Sequence, residues 1–210
     1  LGDPDESVRK QSLLIMEKAI SLAARLGVRI IQIAGYDVYY KTGDERSRAH
    51  FAENLARAVE IAAAQSVMLA FETMETPFIN TVEKAAYWVN AINSPYLAIY
   101  PDLGKITCAA GGDNGQVRSD LDSGRRHIAA MHLKETTPGV FREVPYGEGH
   151  VNFAKGLQAG WNLGVRMYIA EFWWTGGIPA DTSEWKTLLK QNGRFLRRFF
   201  RDLGENAEHL

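Results

Sequence analysis

"VRIIQIAGYDVYYKTGDE", residues 28–45, decides the fold. Its first half is a short β-branched run that ends in glycine, the signature of a strand. A doubly wound open sheet usually follows its first strand with a Gly-rich phosphate turn, G-x-G-x-x-G. No such turn follows here, which favours the other architecture built from β–α alternation, the (β/α)8 barrel.

The alternation itself runs along the whole chain. Residues 6–27 carry a broad apolar helical face (Leu13, Leu14, Met16, Ala19, Ile20, Leu22, Ala23) and stop at Gly27. Helical patterns recur over 44–65, with Asp44 as N-cap, and over 81–92, 152–162 and about 183–202. Between them lie the apolar runs 66–72, 96–102, 127–134 and 165–174, each of which reads as a buried strand. The stretch 104–119 is Gly-rich and reads as irregular, leading to a short helix near 120–126. Short, wholly apolar strands separated by helices predict a parallel sheet covered by helices, an α/β protein. A full barrel has eight strands and about 250 residues. The pattern here supplies five strands in 210 residues, so the expectation is one domain over 1–210, a barrel lacking its first two to three βα units.

Bulk properties narrow the function. Hydrophobic residues make up 46% and charged residues 23%, as in ordinary globular proteins. A formal net charge of −1 gives no global attraction to nucleic acid or an anionic membrane. One cysteine, Cys108, allows no internal disulfide and suits a reducing compartment. There is no apolar stretch of the roughly 18–20 residues that a membrane span needs, and no signal-peptide core at the start. A soluble, cytoplasmic protein is expected.

Four apolar strands finish in a metal-binding residue type. Glu72 ends "SVMLAFE", Asp102 ends "YLAIYPD", His132 ends "IAAMH" and Glu171 ends "MYIAE". Parallel strands bring their C-terminal ends to one face, where barrel active sites lie. A polar residue just past a strand is often only a turn former or helix cap, and Asp102 between Pro101 and Leu103 suits that role. Glu72 and Glu171 are harder to explain so, because a carboxylate at the end of a buried strand is costly unless paired or metal-bound. Three carboxylates and one imidazole make a hard, mixed O/N site that suits Mn²⁺, Mg²⁺ or Co²⁺, with Zn²⁺ also compatible.

The strings "RIIQIAGYDVYY", "YPDLG", "MHLKETTPGVFREVPYGEGHVNF" and "YIAEFW" resemble the L-ribulose-5-phosphate (L-xylulose-5-phosphate) 3-epimerases, within the xylose-isomerase-like barrels. The resemblance spans most of residues 5–175, with departures at "CAAGGDNGQ" and "FWWTGG". It implies a divalent metal held by Glu72, Asp102, His132 and Glu171, and a sugar phosphate substrate of the kind met in ascorbate catabolism. The reaction implied is inversion at C3 of a ketopentose 5-phosphate through an enediolate, with Glu72 and Glu171 as the two opposed acid–base groups. Glu75 and Glu135 are the candidates for substrate hydroxyls or for steadying the metal site. Lys134 and Arg142 are the candidates for the phosphate, and Trp173 and Trp174 for a pocket wall or core. His50 and His127 are expected on the surface or in the core, His150 as a helix cap and His209 in the tail.

The alternatives are an aldose–ketose isomerase, which uses similar metals on the same fold, and a catalytically silent barrel fragment. A multi-zinc DNA-repair endonuclease fits less well, given five histidines and near-zero net charge. A homodimer is expected, with no nucleic-acid or membrane partner.

Overall fold

The computed structural model describes residues 1–174 and 183–207. His209 and residues 175–177 of "FWWTGG" lie outside them. Two compact units make up the chain, Leu1–Tyr100 and Pro101–Leu210.

The first unit runs α1 (Glu6–Leu26), β1 (Ile30–Ala34), α2 (Glu45–Ala64), β2 (Met68–Glu72), α3 (Val82–Ile92) and β3 (Leu97–Tyr100). Local chemistry sets these boundaries. Asp5 accepts the Ser7 N–H at 2.7 Å to start α1, and Gly27 ends it in the left-handed region at φ 73°. Asp44 and Ser47 form a reciprocal capping box on α2, worth about 1 kcal/mol for the cap alone. The three strands are parallel in the order β1-β2-β3. Almost every residue of β2 and β3 is buried, as expected for strands covered on both faces. Phe51 and Leu55 of α2 are buried, as are Leu69, Phe71 and Ile99 of the sheet, and the Phe51 ring stacks on Phe71 and meets Phe78 and Trp88. The register levels Ala34, Glu72 and Tyr100 at the C-terminal edge of the sheet.

The second unit runs α4 (Leu103–Ala109), α5 (Asn114–Ser123), β4 (Met131–Leu133), α6 (Phe153–Asn162), β5 (Tyr168–Ala170) and α7 (Ser183–Ala207). β4 and β5 are parallel, with Leu133 opposite Ala170, and Asp102 forms a single parallel bridge to His132. An aromatic cluster of Tyr146, Phe153, Phe195 and Phe199 ties α6 and α7 to the long β4–α6 loop.

The 104–119 stretch is helical, contrary to the expectation of irregular chain. Its glycines misled for two reasons. Gly104 sits inside α4 because a Cβ there would lie 2.7 Å from Thr136 Cγ2 and 2.8 Å from the Lys134 carbonyl oxygen. Only Gly111 and Gly112, both at positive φ, break the chain, and Asp113 then caps α5. The two expected strands of this unit are shorter than their apolar runs, pairing over three residues each.

Candidate metal centre

Asp102 takes its place from two backbone features. The Pro101 carbonyl accepts the His132 N–H at 2.9 Å, which aligns the chain beside β4. Asp102 then caps α4, its Oδ1 accepting the Lys105 N–H at 3.0 Å. The cap reading of this residue is therefore met through Oδ1, and Oδ2 is left outside the cap. Oδ2 lies 3.3 Å from Lys134 Nζ and 3.7 Å from Lys105 Nζ, and the side chain is fully buried.

His132 and Glu171 follow from the β4–β5 register. The Glu171 N–H donates to the Leu133 carbonyl at 2.9 Å, extending the ladder by one step. Glu171 Oε2 then sits 3.2 Å from His132 Nδ1, and Oε1 contacts Lys134 Nζ. One donor atom each of Asp102, His132 and Glu171 lies within 4.8 Å of the others. Ligands of one divalent ion at bond lengths near 2.1 Å lie at most about 4.2 Å apart, so donors within 4.8 Å of one another need to draw in only slightly to share a cation. The three side chains thus fit a hard divalent cation in both chemistry and spacing.

Glu72 ends β2 in the first unit, is 7% exposed, and accepts a hydrogen bond from Gln32 Nε2 on β1. Glu75 lies half-buried in the loop behind it. Burial, then the Tyr40 hydroxyl and the Glu75 carboxylate, push the neighbouring Tyr36 phenol well above its ordinary range. Tyr36 packs edge-on against Tyr39, and the rings of Tyr39 and Tyr40 meet likewise, leaving Tyr39 largely exposed just past β1.

The remaining candidates lie around this cluster and on the loop behind it. Lys134, expected at a phosphate, is buried with its ammonium on the Asp102 and Glu171 carboxylates. Glu135, expected at substrate hydroxyls or steadying the metal site, is also buried, and its carboxylate is taken up by backbone: Oε2 accepts from Gly147 at 2.9 Å, Oε1 from Val151 at 3.1 Å. Arg142 is exposed on the same loop, its guanidinium 5.4 Å from the centre of the Trp173 ring. Trp173 and Trp174 are both exposed, so neither is a core residue. His150 does not cap α6, a role filled by Asn152; its Nε2 lies 3.1 Å from Thr136 Oγ1 and 3.5 Å from Cys108 Sγ.

Sequence reading missed Tyr146. Its hydroxyl bridges the carbonyl oxygens of Leu133 and Glu171, the latter at 3.2 Å, and so binds the ends of β4 and β5 together. Burial first, then the Asp102, Glu171 and Glu135 carboxylates, raise its phenol far above the usual tyrosine value, which keeps the proton needed for that bridge. A tyrosine in a Gly- and Pro-rich loop carries no periodic signal that would single it out. Lys134 did carry one, because "His-Leu-Lys" puts His132 and Lys134 on the same face of a strand.

The family model described as "Xylose isomerase-like TIM barrel" matches residues 1–199. Among curated proteins, the chain is 46% identical over 179 residues to the putative L-ribulose-5-phosphate 3-epimerase SgbU of Escherichia coli (strain K12). It is 41% identical over 174 residues to the L-ribulose-5-phosphate 3-epimerase UlaE of Shigella boydii serotype 18. Each match covers 82% of this chain but only 61% and 60% of the relative, so the chain spans about three fifths of the length of these proteins. Among solved structures, a D-tagatose 3-epimerase-like protein aligns with a TM-score of 0.80 at 19% identity, over 98% of this chain and 74% of its own. The D-psicose 3-epimerase from Clostridium cellulolyticum H10, solved with D-tagatose, aligns with a TM-score of 0.77 at 16% identity, over 95% and 74%. These structural likenesses concern the fold. With its family model matched over nearly the whole length, the chain belongs to the xylose isomerase-like TIM barrel family.

Proposed function

We propose that the chain carries the metal centre of a sugar-phosphate 3-epimerase, which inverts C3 between L-xylulose 5-phosphate and L-ribulose 5-phosphate. The observation that carries the reading is the meeting of the Asp102, His132 and Glu171 donors at the ends of consecutive strands. The names of the relatives at 41–46% identity supply the substrate class.

Glu72 is the fourth ligand in this reading. Its support is the register of the first unit, where Glu72 stands level with Tyr100, from which the chain passes through Pro101 into Asp102. A bound divalent cation would supply Lewis-acid polarisation of the C2 carbonyl and C3 hydroxyl oxygens, which acidifies the C3 proton. The chain's own residues do the rest. Glu72 and Glu171 are the acid–base pair in this reading, one removing the C3 proton and the other delivering a proton to the opposite face of the planar enediolate. Asp102 and His132 hold position, Asp102 through its cap on α4 and His132 through the Pro101 carbonyl. Tyr146 and Glu135 fix the strand ends and the loop behind them. Glu75 and Arg142 are assigned to substrate, Arg142 to its phosphate.

The same proposal treats residues 1–210 as part of one barrel domain, acting as a homodimer in the cytoplasm on pentulose phosphates such as those of ascorbate breakdown. No helix among the described residues is long and apolar enough to cross a membrane. The direct test is deuterium wash-in at C3 of L-xylulose 5-phosphate, followed by NMR in Mn²⁺-loaded protein. Exchange that is present in the unaltered chain and lost in Glu171→Gln supports the reading; exchange unchanged by that substitution rejects it.

A further inference from the structure

Lys134 is the buried group that the proposed chemistry leaves without a task. Its side chain is only 4% exposed, and an ammonium is not held out of water unless anions meet it. Strand geometry delivers two. Period two sets Lys134 on the same face as His132, and the ladder that pairs Leu133 with Ala170 sets it beside Glu171. Its Nζ contacts Glu171 Oε1 and lies 3.3 Å from Asp102 Oδ2. Lys105, buried as well, approaches the same Asp102 oxygen at 3.7 Å. Two ammoniums therefore meet these two carboxylates before any metal is added. The oxygens that Lys134 holds belong to the carboxylates that would ligate the cation.

We propose that Lys134 is a built-in counter-ion that competes with the divalent metal for Asp102 and Glu171. In the metal-free protein it stops the two carboxylates from repelling each other and keeps them in ligand positions. On metal binding it must give way, so it lowers the affinity of the site and makes binding reversible. Lys134 is in this sense a positioning residue. The inference rests on the metal centre proposed above and adds a cost of metal loading that the ligand set alone does not predict.

The test is Mn²⁺ titration calorimetry on metal-stripped protein, with thermal melting before and after Mn²⁺, for the unaltered chain, Lys134→Met, Lys134→Arg and Lys105→Met. Removing a unit charge some 3–4 Å from the ligands should tighten Mn²⁺ binding of Lys134→Met roughly tenfold, even with solvent-like screening. Its metal-free form should melt below the unaltered protein, and Mn²⁺ should recover most of that difference. Lys134→Arg should stay near the unaltered affinity. Lys105→Met, which loses a longer contact to one carboxylate, should tighten binding less. Equal or weaker Mn²⁺ binding by Lys134→Met overturns the inference while leaving the metal centre intact. An unaltered chain that takes up no Mn²⁺ overturns both. If Lys134→Met folds only with Mn²⁺ present the inference is upheld; if it does not fold at all, Lys105→Met decides, and no tightening there overturns it.

Discussion

Glu135 Oε1 accepts the backbone N–H of Val151 at 3.1 Å, sixteen positions further along the chain. The same carboxylate accepts the Gly147 N–H, so one buried side chain closes the long loop between β4 and α6. Hydrogen bonds to a charged acceptor contribute about 1.5–3 kcal/mol each. Glu135→Ala should therefore destabilise the protein by about 3 kcal/mol in urea unfolding. Glu135→Gln, which keeps an acceptor oxygen without the charge, should lose about half as much.

Asp102 caps α4 and is a ligand in the proposed metal centre, two roles that substitution separates. Asparagine is as good an N-cap as aspartate, whereas alanine forfeits the cap. Asp102→Asn should thus be more stable than Asp102→Ala by about 1 kcal/mol. Both should fail to retain Mn²⁺ after dialysis, measured by elemental analysis, because the cation needs the carboxylate charge.

Gly104→Ala tests the close approach of α4 to the β4 loop. In an open helix the change would stabilise by about 1 kcal/mol. Here the added Cβ meets the Lys134 carbonyl at 2.8 Å, a backbone atom that cannot swing aside. The expected result is destabilisation of about 1–3 kcal/mol by overpacking. The sign of the change in urea midpoint separates the two cases.

Alkaline stability should follow the buried tyrosines. Burial pushes the Tyr168 phenol up to about 12, while its hydroxyl donates to the Val165 carbonyl at 3.1 Å. Tyr146 and Tyr100 are raised too, in each case first by burial. A raised folded value means that the unfolded chain loses its protons first. The contribution is thus complete below the ordinary tyrosine value of about 10 and is lost as pH climbs from there towards 12. Chemical unfolding between pH 9 and 12 should show this decline. Tyr168→Phe should flatten part of it.

What the sequence by itself determined is the β–α alternation and the four strand-end ligand candidates. The reason is physical. Parallel strands covered on both faces need unbroken apolar runs, so the residue that ends such a run stands out, as Glu72 does after Phe71 and Glu171 after Ala170. The cap at Asp44 was open to reading for a similar reason, since it acts within three residues of itself. The α4–α5 pair was obscured because close packing and helix breaking both call for glycine, and only the packing tells Gly104 from Gly111.

Tertiary structure alone decided the surroundings of those candidates. Lys134 became a counter-ion because the β4–β5 register set it beside Glu171, and Glu135 a loop clamp because residues 147–151 return to it. Tyr146 reached the ends of both strands by the same return. A strand end is marked by its own neighbours in the chain. A counter-ion or a clamp is defined by partners many residues away, and only the folded chain brings them within bonding distance.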